Sequence, residues 1–435
     1  MLQILAEENR ALPVSVGSLG SPPRAASRAE LDMTEPDDTL FDLVVRCVPQ
    51  WYFSDCGRNR YSLHLGDTER HFHSQRPLTP TLSKFRDWVD TRLPDWKAGF
   101  PKILTPTTIT KITEEIALWW LAANAPSVQW ETILAYCEGL RLQTHENAPV
   151  TRNLIICSTR TGQGELTDPA LTKPFAQLGG SGRTYFRVDS ALRYLDYEEV
   201  LLDQIKEPED YKFHPDFLHP FWSQIHPGDY SVHVTTRGDL VVMDIGGLLA
   251  ACRRGRWYIY DVHTFKNFFV DTFGGQNVYR VGCNIFDMVF DVSYKRHGAL
   301  LVFDPNHEVI KKIANSGSII APGTNSADGP RSLLRDRIGG ISINKNTFKG
   351  RRKGLLLEVA SIDGAVIFDE KNVLAFGAII QPHPDASEHG ARTTAARSAF
   401  LWGGIPIKCS ADGDISVRFH SKDANGSSPA HTEFM

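Results

Sequence analysis

The chain has 435 residues, long enough for two or three domains of ordinary size. Its 42% apolar, 23% charged and 10% aromatic residues are the make-up of a globular protein with a normal core. A formal charge of −4 excludes a global attraction to nucleic acid or to anionic lipid, so neither is expected as a direct partner.

Residues 1–38 carry Gly20-Ser-Pro-Pro and Met33-Thr-Glu-Pro-Asp-Asp with little periodicity, and read as a disordered segment or arm. Residues 39–213 read as an N-terminal α/β domain. Phe41–Arg46 has strand character, and Thr108 to Ala123 sets Ile112, Ile116, Trp119, Trp120 and Ala123 at helical spacing behind threonines suited to capping. A second helix is predicted over Val128–Arg141, a short buried strand over Asn153–Cys157 and an amphipathic helix over Asp189–Ile205.

Residues 214–275 read as a β-rich connecting element, with strands from Tyr230, Asp239 and Arg256 and turns at Arg237-Gly238 and Arg253–Gly255. From 276 to 423 helix and strand alternate. A helix over Val281–Lys295 is followed by strands Ala299–Asp304, Gly354–Ala360, Ala365–Asp369 and Val373–Ile380. A helix over Arg392–Trp402 and strands from Ile405 and Asp414 complete the block. Such interleaving indicates an α/β sandwich with a mixed sheet. Residues 424–435 read as a disordered tail.

Seven scattered cysteines, none in a C-x-x-C pair, argue against a disulfide framework or structural zinc and fit a reducing compartment. The N-terminus lacks a basic stretch followed by an apolar one, and the run Ile116–Ala123 is far short of the ~20 residues that span a bilayer. The expected location is the cytoplasm.

Four motifs fall in order along the last third: Gly298-Ala-Leu-Leu-Val-Phe, Asp363-Gly-Ala-Val-Ile, Gly390-Ala-Arg-Thr-Thr-Ala-Ala, and Gly413-Asp-Ile-Ser. Together, over about 145 residues, they resemble the diadenylate cyclase domain. In that family the Asp of Asp-Gly-Ala binds the catalytic metal and activates a ribose 3′-hydroxyl. A Gly-Thr-Arg-His-Arg motif holds the triphosphate, and two domains face each other, each bringing one ATP. Carried over by position, Asp363 matches the metal-binding Asp, Gly364 and Ala365 its neighbours, and Arg392 the first motif arginine. Gly390, Thr393, Thr394 and Ser410 complete the expected nucleotide-binding set.

This sequence departs from the pattern at several points. Thr393 and Thr394 stand where the family has His and Arg, Ala391 replaces a threonine, and Ile362 replaces the histidine before the Asp. Ser410 and Ala411 fall where two glutamates belong, and Cys409 where a serine belongs. Removing a cation from the phosphates and a carboxylate from the metal leaves Mg²⁺ without the octahedral set it demands. Each lost charge contact on a transferring phosphoryl group typically costs ~2.7–4 kcal/mol. The resemblance therefore implies the degenerate, sensor branch of the family: a cytoplasmic protein of bacterial signalling or anti-phage defence that binds a purine nucleotide or cyclic oligonucleotide and signals to a separate effector. A facing pair of domains implies a homodimer. The alternative is an active but divergent diadenylate cyclase or nucleotidyltransferase with Mg or Mn, in which Asp363 is catalytic and Asp385, Glu388 or Asp412 supplies the second carboxylate.

Other features read more plainly. Lys345, Lys349, Arg351, Arg352 and Lys353 form a basic run, read as a solvated loop or as an electrostatic guide for phosphates, with Arg331, Arg335 and Arg337 nearby. Thr159–Gly164 lacks the lysine and spacing of a phosphate-binding turn. The histidines His71, His73, His214, His219, His226 and His233 do not match a zinc pattern. Asp369 reads as a turn residue.

Overall fold

The computed structural model describes residues 29–31, 51–55 and 61–65, and most of the chain from Glu114 onward. The stretches left out after that point are 115–116, 123, 146–147, 167–177, 179–182, 202–204, 206–211, 261, 274–277, 321–337, 339–342, 344–350, 387–389, 424–425 and 435. The predicted strand Phe41–Arg46, the first turns of the Thr108 helix and almost all of the 1–38 arm lie outside the described residues.

The chain divides between Val262 and His263 into two compact units. In the first, β1 (Ala29–Leu31), β2 (Trp51–Asp55) and β3 (Tyr61–Leu65) make a small antiparallel sheet in the order β1-β3-β2. Helix α1 (Trp130–Arg141) then buries Trp130, Ile133, Leu134, Cys137 and Leu140, the 3.6-residue stripe that its sequence writes. After the short ladder of β4 (Thr144–His145) and β5 (Ala148–Pro149) comes the main sheet of seven strands.

Its strands are β6 (Arg152–Cys157), β7 (Thr184–Asp189) and β8 (Tyr194–Glu199), then β9 (Tyr230–Val234), β10 (Leu240–Asp244), β11 (Gly247–Arg253) and β12 (Arg256–Ile259). The order is β12-β11-β10-β9-β6-β7-β8, with only β6 and β7 parallel. A four-residue helix α2 (His219–Trp222) precedes β9. The strands of the 214–275 stretch and those before it thus form one sheet.

Of Asp189–Ile205, expected as a helix, residues 189–199 are instead the turn and second strand of the β7–β8 hairpin. Asp189 Oδ1 accepts the N–H groups of Ala191 and Arg193, and Leu192 turns at φ 63°, which breaks a helical reading. Buried His233 keeps a neutral ring between Asn153 Oδ1 (2.9 Å) and Ser231 Oγ (2.9 Å), and burial lowers its pKa to about 3.

The second unit begins in α3 (Val262–Phe273) and continues with α4 (Tyr279–Lys295), β13 (Ala299–Phe303), α5 (Arg351–Ala360), β14 (Ala365–Phe368) and β15 (Val373–Ala378). Helix α6 (Ala391–Leu401) and strands β16 (Ile405–Cys409), β17 (Ile415–Asp423) and β18 (Gly426–Phe434) complete it. Six strands run in the order β15-β14-β13-β16-β17-β18, and only β13 and β14 are parallel. Alternation along the strands gives the sheet two covered faces. Leu300, Val302, Ala365 and Ile367 pack with Ala396 and Ala399 of α6. On the other face Phe303 and Phe368 meet Phe273 of α3, with ring centroids 4.9 and 6.3 Å apart. The architecture is the expected α/β sandwich on a mixed sheet.

Two expectations are corrected here. Gly354–Ala360 is helical, not a strand: Leu356, Leu357, Val359 and Ala360 are buried while Glu358 is exposed, a one-sided pattern that a leucine triplet disguises as a continuous apolar run. The expected tail is strand β18, whose backbone pairs with β17 from Gly426 to Phe434. A polar strand at a sheet edge carries little hydrophobic signal.

Candidate functional site

The topology of the six-stranded sheet collects the four motifs at one of its ends. β13 and β14 run parallel, so Gly298 and Asp363-Gly364 stand side by side at their starts. β15 and β16 run the other way, so Gly377 and the Lys408–Ser410 stretch reach the same end. Helix α6 starts there too, at Gly390 (φ 94°), which offers its first N–H groups no side-chain acceptor.

The acidic and basic residues singled out in the sequence meet across this end. Arg392 Nη2 lies 3.2 Å from Asp363 Oδ1. The Asp363 side chain is fully exposed and that of Arg392 is 42% exposed, so water screens the pair and its own contribution to stability is small. Gly298 makes room for the guanidinium: a Cβ there would sit 2.2 Å from Arg392 Nη1. One residue along α6, Thr393 Oγ1 accepts from Lys408 Nζ at 3.3 Å, so a second cation borders the same helix turn.

The Asp-Gly-Ala triplet has a backbone reason. Gly364 adopts φ 109°, and a Cβ would stand 2.4 Å from the Gly377 carbonyl carbon on the neighbouring strand. Only glycine fits, and it turns Asp363 outward. Ala365 is fully buried beneath the site, facing α6, so it is core rather than a surface lining. Thr394 donates its backbone N–H to Gly390 O at 2.9 Å as the first turn closes. Ser410 lies at this end, but its hydroxyl oxygen accepts the N–H groups of Asp412 (3.2 Å) and Asp414 (3.1 Å) and serves the β16–β17 turn.

Three participants escaped sequence reasoning: Gly298 as the seat of the guanidinium, Lys408, and Asn315. Asn315 donates to Gly377 O (3.0 Å) and accepts from Ile379 N–H (2.8 Å), bracing the strand end against which Gly364 packs. Lys408 alternates with the buried Ile407 and Cys409 on β16, a signal for an outward cation that the strand pattern contained.

The residues present do not fit a divalent cation. Asp363 is a single carboxylate with a guanidinium already on it, and no group of three or more His, Cys, Asp or Glu suited to a metal occurs among the described residues. Of the carboxylates weighed as a second ligand, Asp385 is 80% exposed beside His383, Asp412 sits in the β16–β17 turn, and Glu388 lies outside the described residues. Asp369 is the turn residue expected, accepting from the N–H groups of Lys371 and Asn372.

The other motifs also have places. Lys353 of the basic run is not solvated: it pairs with Asp291, whose side chain is 1% exposed. Arg331, Arg335, Arg337, Lys345 and Lys349 lie outside the described residues. The Thr159–Gly164 loop spends its N–H groups on protein, Gly162 on Asp189 Oδ2 (2.9 Å) and Gln163 on Tyr194 O (2.9 Å), leaving no phosphate cradle in them. His214 and His219 stack with Trp222, and His71 and His73 lie outside the described residues.

No family model matches the chain, and no curated protein does. Among solved structures it is similar to DacA, a diadenylate cyclase, from Staphylococcus aureus: 22% identity, 33% of this chain and 85% of that chain covered, TM-score 0.22. It is similar also to a hypothetical membrane spanning protein from Bacillus cereus, at 18% identity, with 36% of this chain and 72% of that chain covered and a TM-score of 0.21. Among the described residues of the present chain no helix is long and apolar enough to cross a membrane.

Proposed function

We propose that the C-terminal unit binds a purine nucleotide or cyclic oligonucleotide at this sheet end and does not turn it over. The observation that carries the reading is the Asp363–Arg392 pair, set between the start of α6 and Lys408. Two cations, the hydroxyls of Thr393 and Thr394 and a helix start with no side-chain cap are the chemistry a phosphate group needs. The order of the four motifs supports a nucleotide as its bearer. A single carboxylate among the described residues supports binding without condensation, because bond-making on a triphosphate needs a positioned metal that this described donor set does not hold.

In this reading the protein is a cytoplasmic sensor of bacterial signalling or anti-phage defence, acting on a separate effector. A homodimer would set two such sites face to face. Asp363 guards the guanidinium while no ligand is bound, and an incoming phosphate takes its place. The test is to incubate the full chain with radiolabelled ATP and Mg²⁺ or Mn²⁺ and to follow both retention and conversion of the label. Retained, unconverted nucleotide is expected. Conversion that disappears in Asp363→Asn would establish the divergent enzyme instead.

A further inference from the structure

The first unit buries a cation of whose three nitrogens two find no hydrogen-bond partner. Arg152, on β6, is 1% exposed, and its Nε and Nη1 have no hydrogen-bond partner. Its guanidinium carbon lies 4.9 Å over the ring of Phe186. A ring face attracts a cation but accepts none of its five N–H groups in the way an oxygen does. A buried guanidinium without acceptors is costly unless something completes it.

The surroundings indicate what completes it. Register puts Leu154 beside Phe186, Phe186 opposite Tyr197 and Thr184 opposite Glu199, so Arg152, Phe186, Tyr197 and Glu199 share the sheet face that α1 covers. From α1 come Tyr136 and Cys137. Tyr136 and Tyr197 are only half-buried, so the face near the guanidinium is not wholly closed core, and both phenols lie within electrostatic reach of Arg152. Burial pushes the Tyr136 phenol up to about 12 and the Cys137 thiol likewise to about 12, so both stay neutral and Tyr136 keeps an O–H to donate. Glu199, a carboxylate that register brings to this face, is exposed, and no ion pair joins it to Arg152 among the described residues.

We infer that Arg152 anchors a second ligand site, which takes an oxyanion (a phosphate or carboxylate group) between Tyr136 and Tyr197. The guanidinium supplies charge and a planar fork, Phe186 fixes its plane, Tyr136 supplies a neutral donor, and the two phenol rings supply an aromatic wall. The inference is independent of the Arg392 site, and its test is run in full-length Arg392→Ala protein so that the two cannot be confused.

Thermal unfolding of that protein is measured with inorganic phosphate and with succinate, at ionic strength matched by sodium chloride. A saturable rise in Tm with either anion is expected, phosphate alone or succinate alone naming the group preferred. Arg152→Met should abolish the rise and leave the ligand-free Tm equal or higher, because an uncompensated buried charge has been replaced by an apolar side chain of similar length. Absence of any rise at tens of millimolar anion overturns the inference. So does an Arg152→Met protein that melts lower or fails to fold, since the guanidinium would then serve the fold. A Tm drop in Glu199→Gln equal to that of Arg152→Met would assign the role to an internal ion pair instead.

Discussion

Gly298 gives the sharpest handle on the sheet-end site, because all three heavy atoms nearest to a Cβ built there belong to the Arg392 guanidinium, at 2.2, 2.9 and 3.5 Å. Ordinary van der Waals contact begins near ~3.5 Å, so Gly298→Ala must drive Nη1 back by roughly 1.3 Å. Arg392 is the flexible, 42% exposed end of a long side chain, so it can retreat into solvent without moving the backbone. Stability should therefore hold or rise, by up to about 0.4–1 kcal/mol from the reduced freedom of the unfolded chain. Nucleotide binding should weaken about tenfold, at the low end of ~1.5–3 kcal/mol for a hydrogen bond to a charged group, given the exposure of the site. The assay pairs thermal unfolding with calorimetric titration of the nucleotide. Arg392→Ala should show a similar loss, and the double variant little more, because both act on one guanidinium. A Gly298→Ala protein that melts clearly lower, or binds as tightly as the parent, refutes the reasoning.

Gly364→Ala should behave in the opposite way. Its Cβ meets the Gly377 backbone at 2.4 Å in a φ 109° conformation, so a loss of at least ~1–3 kcal/mol in chemical denaturation is expected. Lys353→Met strips the cation from buried Asp291 and should cost about 3–5 kcal/mol, with much of it recovered when Asp291→Leu is added; equal stability of Lys353→Met and parent would contradict the ion pair. His233 has a folded pKa of about 3 against an unfolded value near 6.5. The unfolded chain therefore binds the extra proton between these values. Stability from this group is complete above pH ~6.5 and is lost as pH falls toward 3, by at most ~1.4 kcal/mol per pH unit. Denaturant midpoints at pH 7 and pH 5 should differ less in His233→Gln than in the parent.

Much of the site was legible because it is built on local rules. Asp-Gly-Ala required a glycine at a strand entry, and Gly390-Ala-Arg marked the opening of a helix without a side-chain cap. What could not be read was any contact whose sequence separation hides it. Gly298 seats a guanidinium 94 positions away, Asn315 braces Gly377, and Asp291 neutralises Lys353. The misread elements share a cause as well. Apolar runs without clear period, as at Leu355–Leu357, do not distinguish a buried strand from a one-sided helix, and the hairpin at Asp189–Arg193 depends on a carboxylate capping its own turn. Strand β11 is buried along all of Gly247–Arg253, yet its two alanines and leading glycine have low strand propensity; pairing with β10 and β12 on either side decides it.

The central claim is most directly tested by titrating the purified full chain with ATP and with cyclic diadenylate in a calorimeter, beside the Arg392→Ala variant. The account predicts saturable binding of at least one of them by the parent, weakened about tenfold in the variant while its Tm is unchanged. Equal affinity in the two proteins, or no heat from either nucleotide in the parent, would contradict it.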